Sequence, residues 1–364
     1  MRYSNFKSAV RGKFAHALIA TSAFATLVGC SKGGGSFSTL ETSQGFHQAD
    51  AKINNKIDIL WLVDNSGSMD PLQQRLADNF ESFMTDFRGK GFDFQIAVAR
   101  SDAYAGLPEY RNDPEVVAFS EGLGPDYSKV KVITPSTPNL IETFVKNAKV
   151  GAYGSGDERV FQSIFASITS PVNAGFLREG AFFAVVILSD EDDFSNPSRG
   201  EGAAGDHDYN QAGLVSVDSV VADLDALTKS TDKQKNYNVS AITVNTPECQ
   251  AEHSKSAPSA IVGQRYIELA NKTKGVIGSV CDDSFANSLK FIQQRIVELV
   301  SSFKLDREPK PDTIVVTVNG VNVPNSDTNG WTYSASENAI YFHGAAVPPA
   351  SADVRIGFDP ASFL

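Results

Sequence analysis

Asp64, Ser66 and Ser68 stand at i, i+2 and i+4 in Asp64-Asn65-Ser66-Gly67-Ser68. One carboxylate and two hydroxyls on a turn of small residues offer hard oxygen donors to a divalent cation, which takes oxygens and keeps waters. Three donors leave a coordination sphere incomplete, so other loops must bring more. Two stretches of the chain offer them. Asp190 follows the apolar run 182–188 almost at once, in Ser189-Asp190-Glu191-Asp192-Asp193, and Ser155 lies in the glycine-rich segment 150–156, just ahead of a helical pattern. On its own, a turn of Ser, Gly and Asp reads equally well as an ordinary loop. Its weight depends on the elements around it.

Those elements have one design. Residues 57–63 form an apolar run rich in branched side chains, the pattern of a strand buried on both faces. Asp70-Pro71 after the turn is a cap followed by a first-turn proline, a helix start. Leu72, Leu76, Phe80, Phe83 and Phe87 then make one apolar stripe at helical spacing. Strand patterns at 92–99, 129–133, 182–188, 239–244 and 275–280 alternate with helical ones at 139–149, 157–168, 214–228, 259–274 and 284–303. Such alternation predicts an α/β fold with a doubly wound, mostly parallel sheet. Ligands of open α/β sheets bind at the carboxyl ends of the strands, where Asp64 and Asp190 both fall. From 304 to 364 the texture changes to short strands, with Asn319-Gly320 a two-residue hairpin signal. A unit of that size is marginal alone and is expected to pack on its neighbour or on a partner.

The order strand, Asp-x-Ser-x-Ser, helix, loop, strand, Asp resembles the von Willebrand factor type A domain, with its metal-ion-dependent adhesion site, across residues 54–303. The resemblance implies a Rossmann-like sheet and a divalent cation, Mg2+ first and Mn2+ or Ca2+ as alternatives, held by Asp64, Ser66, Ser68, Ser155 and Asp190. The family's middle motif has a threonine. Counting back from Phe161 places Ser155 there, a hydroxyl without the stiffening methyl. The resemblance further implies a binding module, not an enzyme, whose cation accepts an Asp or Glu from a partner protein. A scaffold in which the metal only stabilises the fold is the alternative. A metal hydrolase finds little support, since His207, His253 and His343 are isolated and expected at the surface. Glu191, Asp192 and Asp193 read first as a solvated acidic loop, second as a calcium site with Asp206 and Asp208. Tyr104, Tyr110 and Tyr153 fall in loops near the same edge.

Composition bounds the setting. Residues 1–29 carry Arg2, Lys7, Arg11 and Lys13 and no acid, followed by an apolar stretch too short to span a membrane comfortably. Removing them takes the formal charge from −11 to −15, which argues against nucleic acid as a partner. The segment ends Leu27-Val28-Gly29-Cys30, which resembles a bacterial lipoprotein signal, with Cys30 carrying the lipid. The expected organisation is a signal peptide at 1–29, a flexible lipidated tether at 30–53, the α/β domain at 54–303 and the β unit at 304–364. No acid follows Cys30 directly, which in that class favours the outer membrane. In an exported protein, the remaining pair, Cys249 and Cys281, is expected to form a disulfide.

Overall fold

The computed structural model describes residues 46–47, 55–84, 87, 89–125, 127–201, 207–231 and 234–362. The signal segment and Cys30 lie outside the described residues, as do Asp206 and most of the expected tether. In chain order the strands and helices are β1 (Phe46–His47), β2 (Lys56–Val63), α1 (Asp70–Met84), β3 (Asp93–Arg100), α2 (Pro114–Val117), α3 (Leu140–Ala148), α4 (Val160–Thr169), β4 (Phe182–Leu188), α5 (Val217–Thr228), β5 (Tyr237–Thr243), α6 (Pro247–His253), α7 (Gln264–Lys272), β6 (Ile277–Ser279) and α8 (Ala286–Val300). The C-terminal strands are β7 (Phe303–Lys304), β8 (Val315–Val318), β9 (Val321–Val323), β10 (Trp331–Ser334), β11 (Ala339–Phe342) and β12 (Val354–Phe358).

The central sheet runs β3-β2-β4-β5-β6 and every pair in it is parallel. Strand alternation sorts its side chains between two cores. Ile57, Ile59, Trp61 and Val63 of β2, with Phe182, Ala184, Val186 and Leu188 of β4, pack toward α1, α3 and α8. Leu60 and Leu62, with Phe183, Val185 and Ile187, pack toward α4, α5 and α7. A strand that serves two cores needs apolar side chains on both faces, which is why, Asp58 apart, these runs do not alternate with polar residues. The α1 stripe closes on Trp61, whose ring meets Phe80, Phe83 and Phe144 edge-on. The chain builds outward in one direction through β3, then returns to the other side of β2 for β4. That reversal makes the gap between β2 and β4 the topological switch point.

Buried charge at the opposite, amino end of the sheet is matched. Asp58, fully buried on β2, accepts from the Arg178 Nε at 2.7 Å and from its backbone N at 2.6 Å. The predicted disulfide is present between Cys249 and Cys281, tying α6 to the turn after β6.

Several expectations change. Residues 129–133 form no strand and contribute one antiparallel bridge, Ile133 to Ile96. The stretch 259–274 is helical only in α7, while α6 was not anticipated. Seven residues are too few to show a periodicity, and α6 is set by its Thr246 cap, which accepts from Cys249 N at 3.1 Å, and by Pro247 in the first turn. Phe303 does not end α8 but opens β7, which pairs with β11. Within the expected tether, Phe46–His47 pairs antiparallel with β12. The hairpin at Asn319-Gly320 forms, with φ of 51° and 79° as a type I′ turn requires.

Candidate metal centre

Asp64 leaves β2 with its backbone N donating to Leu188 O of β4 at 2.9 Å, so the ends of the two strands stay in register. Its carboxylate is fully buried. Oδ1 accepts from Ser66 N at 2.7 Å, and Oδ2 accepts from the Ser189 hydroxyl at 2.7 Å. The turn brings the Ser66 and Ser68 hydroxyls to 3.4 Å of one another, and Ser68 donates to Asp190 Oδ1 at 3.0 Å. Four of the five expected residues, Asp64, Ser66, Ser68 and Asp190, therefore meet across the β2–β4 switch point.

The fifth does not join them in the expected way. The Ser155 hydroxyl accepts from Asp157 N at 3.0 Å and lies by the Tyr104 hydroxyl. What this loop presents to Asp64 is Glu158. Its side chain is 1% exposed, and both carboxyl oxygens lack a hydrogen-bond partner. Burial and the neighbouring Asp64, Glu191 and Asp190 push its pKa well above the usual carboxyl range; the Ser101 hydroxyl, committed to Asn65 Oδ1 at 3.1 Å, offsets little of this. The displacement has a simple origin. Counting back from Phe161 lands on Ser155, but α4 begins only at Val160, directly before Phe161, so the position is read too early in the loop.

The electrostatics of the cluster point the same way. Burial first, then Asp190, raises Asp64 to about 7, while burial raises Glu191 to about 8 with smaller contributions from Asp64 and Asp190. Buried carboxyls converging on one point, one of them wholly unpartnered, need a positive charge or protons. Glu158 and Asp64, together with the Ser66 and Ser68 hydroxyls, offer oxygen donors only, with Asp190 behind them. That chemistry fits Mg2+, Mn2+ or Ca2+. Among the described residues no three His, Cys, Asp or Glu side chains are arranged to hold a metal by themselves. Here two of the donors are hydroxyls.

His253 is the residue that the sequence placed wrongly at the surface. Its Nε2 is 2.8 Å from Asp190 Oδ2, and its side chain is largely covered. His207 stands 3.4 Å from Glu191 Oε2, and His343 bridges Thr332 and Glu298. The acid run 191–193 is buried, not solvated, and the alternative calcium site involves Asp206, which lies outside the described residues. Asp193 accepts from Phe161 N at 2.8 Å, capping the start of α4, and pairs with Arg265 at 3.2 Å. Asp192 accepts from Arg265 N at 3.2 Å and from the Tyr209 hydroxyl at 2.9 Å. The run is a buried structural hub. Tyr104 is buried, with its hydroxyl donating to Asp157 Oδ2 at 3.2 Å, whereas Tyr153 points into solvent.

A doubly wound parallel sheet with an Asp-x-Ser-x-Ser turn at one inner strand's carboxyl end, and an Asp just past the end of its neighbour, is a von Willebrand factor type A-like fold. No protein-family model matches the chain, and no curated protein matches it. Among solved structures it is similar to proximal thread matrix protein 1 from the mussel byssus, at 13% identity and a TM-score of 0.37, over 72% of this chain and 52% of that one. It is also similar to the pilus adhesin SpaC from Lactobacillus rhamnosus GG, at 10% identity and a TM-score of 0.38, over 84% and 39%. The ArnB paralog VWA2 from Sulfolobus acidocaldarius gives 13% identity and a TM-score of 0.30, over 86% and 60%. The chain thus spans about half the length of the mussel protein and less of the adhesin. Nothing about the site is carried over from them.

Proposed function

We propose that this protein is a lipid-anchored envelope protein that binds a partner protein through a divalent cation, and that it is not an enzyme. The single observation that carries this reading is Glu158, a buried carboxyl with no hydrogen-bond partner that feels the charge of Asp64, at the carboxyl end of the strand that leads to Ser66 and Ser68. Asp64, Glu158, Ser66 and Ser68 would hold Mg2+, or Mn2+ or Ca2+ in its place. Asp190 stands behind them, engaged by Ser68 and His253. When bound, the cation supplies a point of positive charge that an Asp or Glu of the partner can meet. The chain's own residues orient the donors, and Asp64 and Glu158 are buried. In a protein of net charge −11 that attraction is short-ranged and metal-dependent, with little long-range steering at ordinary salt. Cys30 is the proposed site of lipid attachment and the outer membrane the proposed location, resting on the sequence pattern.

Isothermal titration of the full-length protein with MgCl2, MnCl2 and CaCl2 tests the site. Saturable binding by the wild type that Asp64→Ala abolishes is the expected result, and unchanged binding in that variant overturns the assignment. A second reading has its own support: Glu158 contributes an internal carboxylate where a hydroxyl was expected, so a cation there is better neutralised from within and serves mainly to stabilise a scaffold. Under that reading Ser66→Ala lowers the melting temperature and leaves partner binding intact. Under the first, partner binding is lost as well.

A further inference from the structure

Tyr153 is 98% exposed, yet its loop is firmly held. Gln73 Nε2 donates both to Asp64 O at 2.9 Å and to Gly151 O at 2.8 Å, and Gly151 N donates back to Gln73 Oε1 at 3.2 Å. Gly154 N donates to Asn65 O at 2.7 Å. The tyrosine is therefore bracketed on both sides by bonds that lead to the backbone of the metal motif. The approach at Gly154 is close enough that any β-carbon would stand 2.3 Å from the Asn65 side chain, and Gly151 adopts φ 90° against Leu123. Leu123 is itself 55% exposed, and Tyr127 43%. Among the described residues these are three of the eight large apolar side chains left in solvent; Leu123 lies against Gly151, in the loop that carries Tyr153, and lines one groove with Tyr127.

This groove, of about 220 Å³, is lined by Arg100, Glu115, Glu121, Leu123, Tyr127 and Lys131, and with the Tyr153 loop it makes a rim. Lys129 adds its ammonium 5.6 Å above the Tyr127 ring. Arg100, Lys129 and Lys131 stand against Glu115, Glu121 and Asp102, the last paired with Arg100 at 3.5 Å, so this rim is charge-balanced in a chain with net charge −11. It is the part of the metal edge on which an acidic partner meets no net repulsion.

We propose that this rim is the second half of the partner-binding surface, and that it takes an aromatic or aliphatic side chain lying a few residues from the carboxylate presented to the centre, in an acidic segment of a partner protein. The inference rests on the reading of the centre given above. An exposed tyrosine offers a large contact area with few rotors, and a loop already tied to Asp64 and Asn65 loses little freedom on binding. Exposed aromatics held rigid at the edge of a polar site are where binding energy concentrates. The carboxylate contact sets metal dependence, and the rim sets which acidic segments are accepted.

The test is selection of a phage-displayed peptide library, with one fixed Asp and randomised flanks, on immobilised full-length protein in MnCl2, followed by elution with EDTA. The expected result is enrichment of Phe, Trp, Tyr, Leu or Ile close to the fixed Asp. Tyr153→Ser, at a position with no packing to lose, should weaken an enriched synthetic peptide by about tenfold while leaving the calorimetric Mn2+ affinity unchanged. Chelator-eluted peptides without apolar enrichment, or bound equally well by Tyr153→Ser, overturn the rim and leave the metal reading standing. Peptides that resist the chelator, or a selection that yields no chelator-eluted peptide, overturn the metal-carboxylate reading itself.

Discussion

Replacing Glu158 by Gln should move stability in opposite directions depending on metal. In the metal-free protein this carboxyl is buried, unpartnered and faced by Asp64, Glu191 and Asp190. Its pKa in the fold lies well above that in the unfolded chain, so the fold holds a proton that the unfolded chain releases above the ordinary carboxyl range. Stability from this group is thus fully present at low pH and is lost as pH rises toward the folded value. Each pH unit over which the fold retains the proton costs about 1.4 kcal/mol. Gln keeps the shape and carries no charge, so it removes that cost. For a domain of this size 1 kcal/mol shifts the midpoint by about 2–4 °C, so each such pH unit is a gain of about 3–6 °C for the variant. Thermal melts followed by circular dichroism in EDTA, from acid to neutral pH, should show the gain near neutrality and none near pH 4.5. In MgCl2 the order should invert, because the wild type gains a ligand-linked shift that the variant lacks. A variant less stable than wild type in EDTA at neutral pH, or one that keeps the full Mg2+ shift, would refute the placement of Glu158 at the centre.

Other outcomes follow from the same geometry. Asp64 at about 7, Glu191 at about 8 and Asp192 at about 7 are all raised by burial, so metal-free stability should fall as pH climbs from about 4 to 8, while the gain from added Mg2+ grows over that window because ligands must ionise; a melt series that is flat with pH in EDTA contradicts this. The Cys249–Cys281 bond closes a loop of sequence separation 32, for which chain entropy predicts a loss of roughly 3–4 kcal/mol in the double Ser variant. Urea titration measures it, and mass spectrometry that finds both thiols free in protein from the native envelope refutes the bridge. Arg178→Met strands the buried Asp58 charge and should cost about 3–5 kcal/mol, most of it restored by adding Asp58→Asn. A loss that the second substitution leaves untouched would show that the pair is not the cause.

What the sequence revealed and what it hid divide along physical lines. β2, β4 and α1 were legible because each is long, and because burial on two faces or one leaves a pattern in consecutive residues. Asp64 and Asp190 followed, since each lies at or just past the end of such a strand. Glu158 was missed because Arg159, the residue before α4, makes no side-chain cap and the helix start is capped instead by the distant Asp193, so nothing local marks where it begins. His253 was missed because α6 is short and is held by a disulfide partner 32 residues away. The acid run 191–193 looked solvated because its partners, Arg265 N and Phe161 N, come from helices that are distant in sequence. Consecutive acids reveal their charge to a reader of sequence, but not the backbone amides that compensate it.

The C-terminal strands bear on the centre through the core they share with it. Phe303, Ile340, Phe342, Val354, Ile356 and Phe358 belong to the same buried cluster as Phe83, Phe87, Ile296 and Val300. Polar contacts cross the same seam: Ala350 N donates to Lys90 O at 3.0 Å, Lys90 Nζ to Val347 O at 3.1 Å, and His343 pairs with Glu298 of α8 at 3.2 Å. Lys274, after α7, pairs with Glu337 ahead of β11. The β unit beyond residue 303, expected to pack on its neighbour or on a partner, shares its core with the α/β layer, and α8 packs against both α1 and β11. A chain ending at residue 302 would uncover the α8 stripe that faces β7 and β11. Fully burying one large apolar side chain is worth about 1.5–3 kcal/mol, so a handful of them exceeds the whole stability of an ordinary domain. Truncation should yield insoluble or dye-binding, partly folded protein with no metal-linked thermal shift, even though every donor of the centre remains in the chain. A soluble, cooperatively melting truncation with the Mg2+ shift of the full chain would show that the α/β layer stands alone, and that the strands beyond it serve some other end.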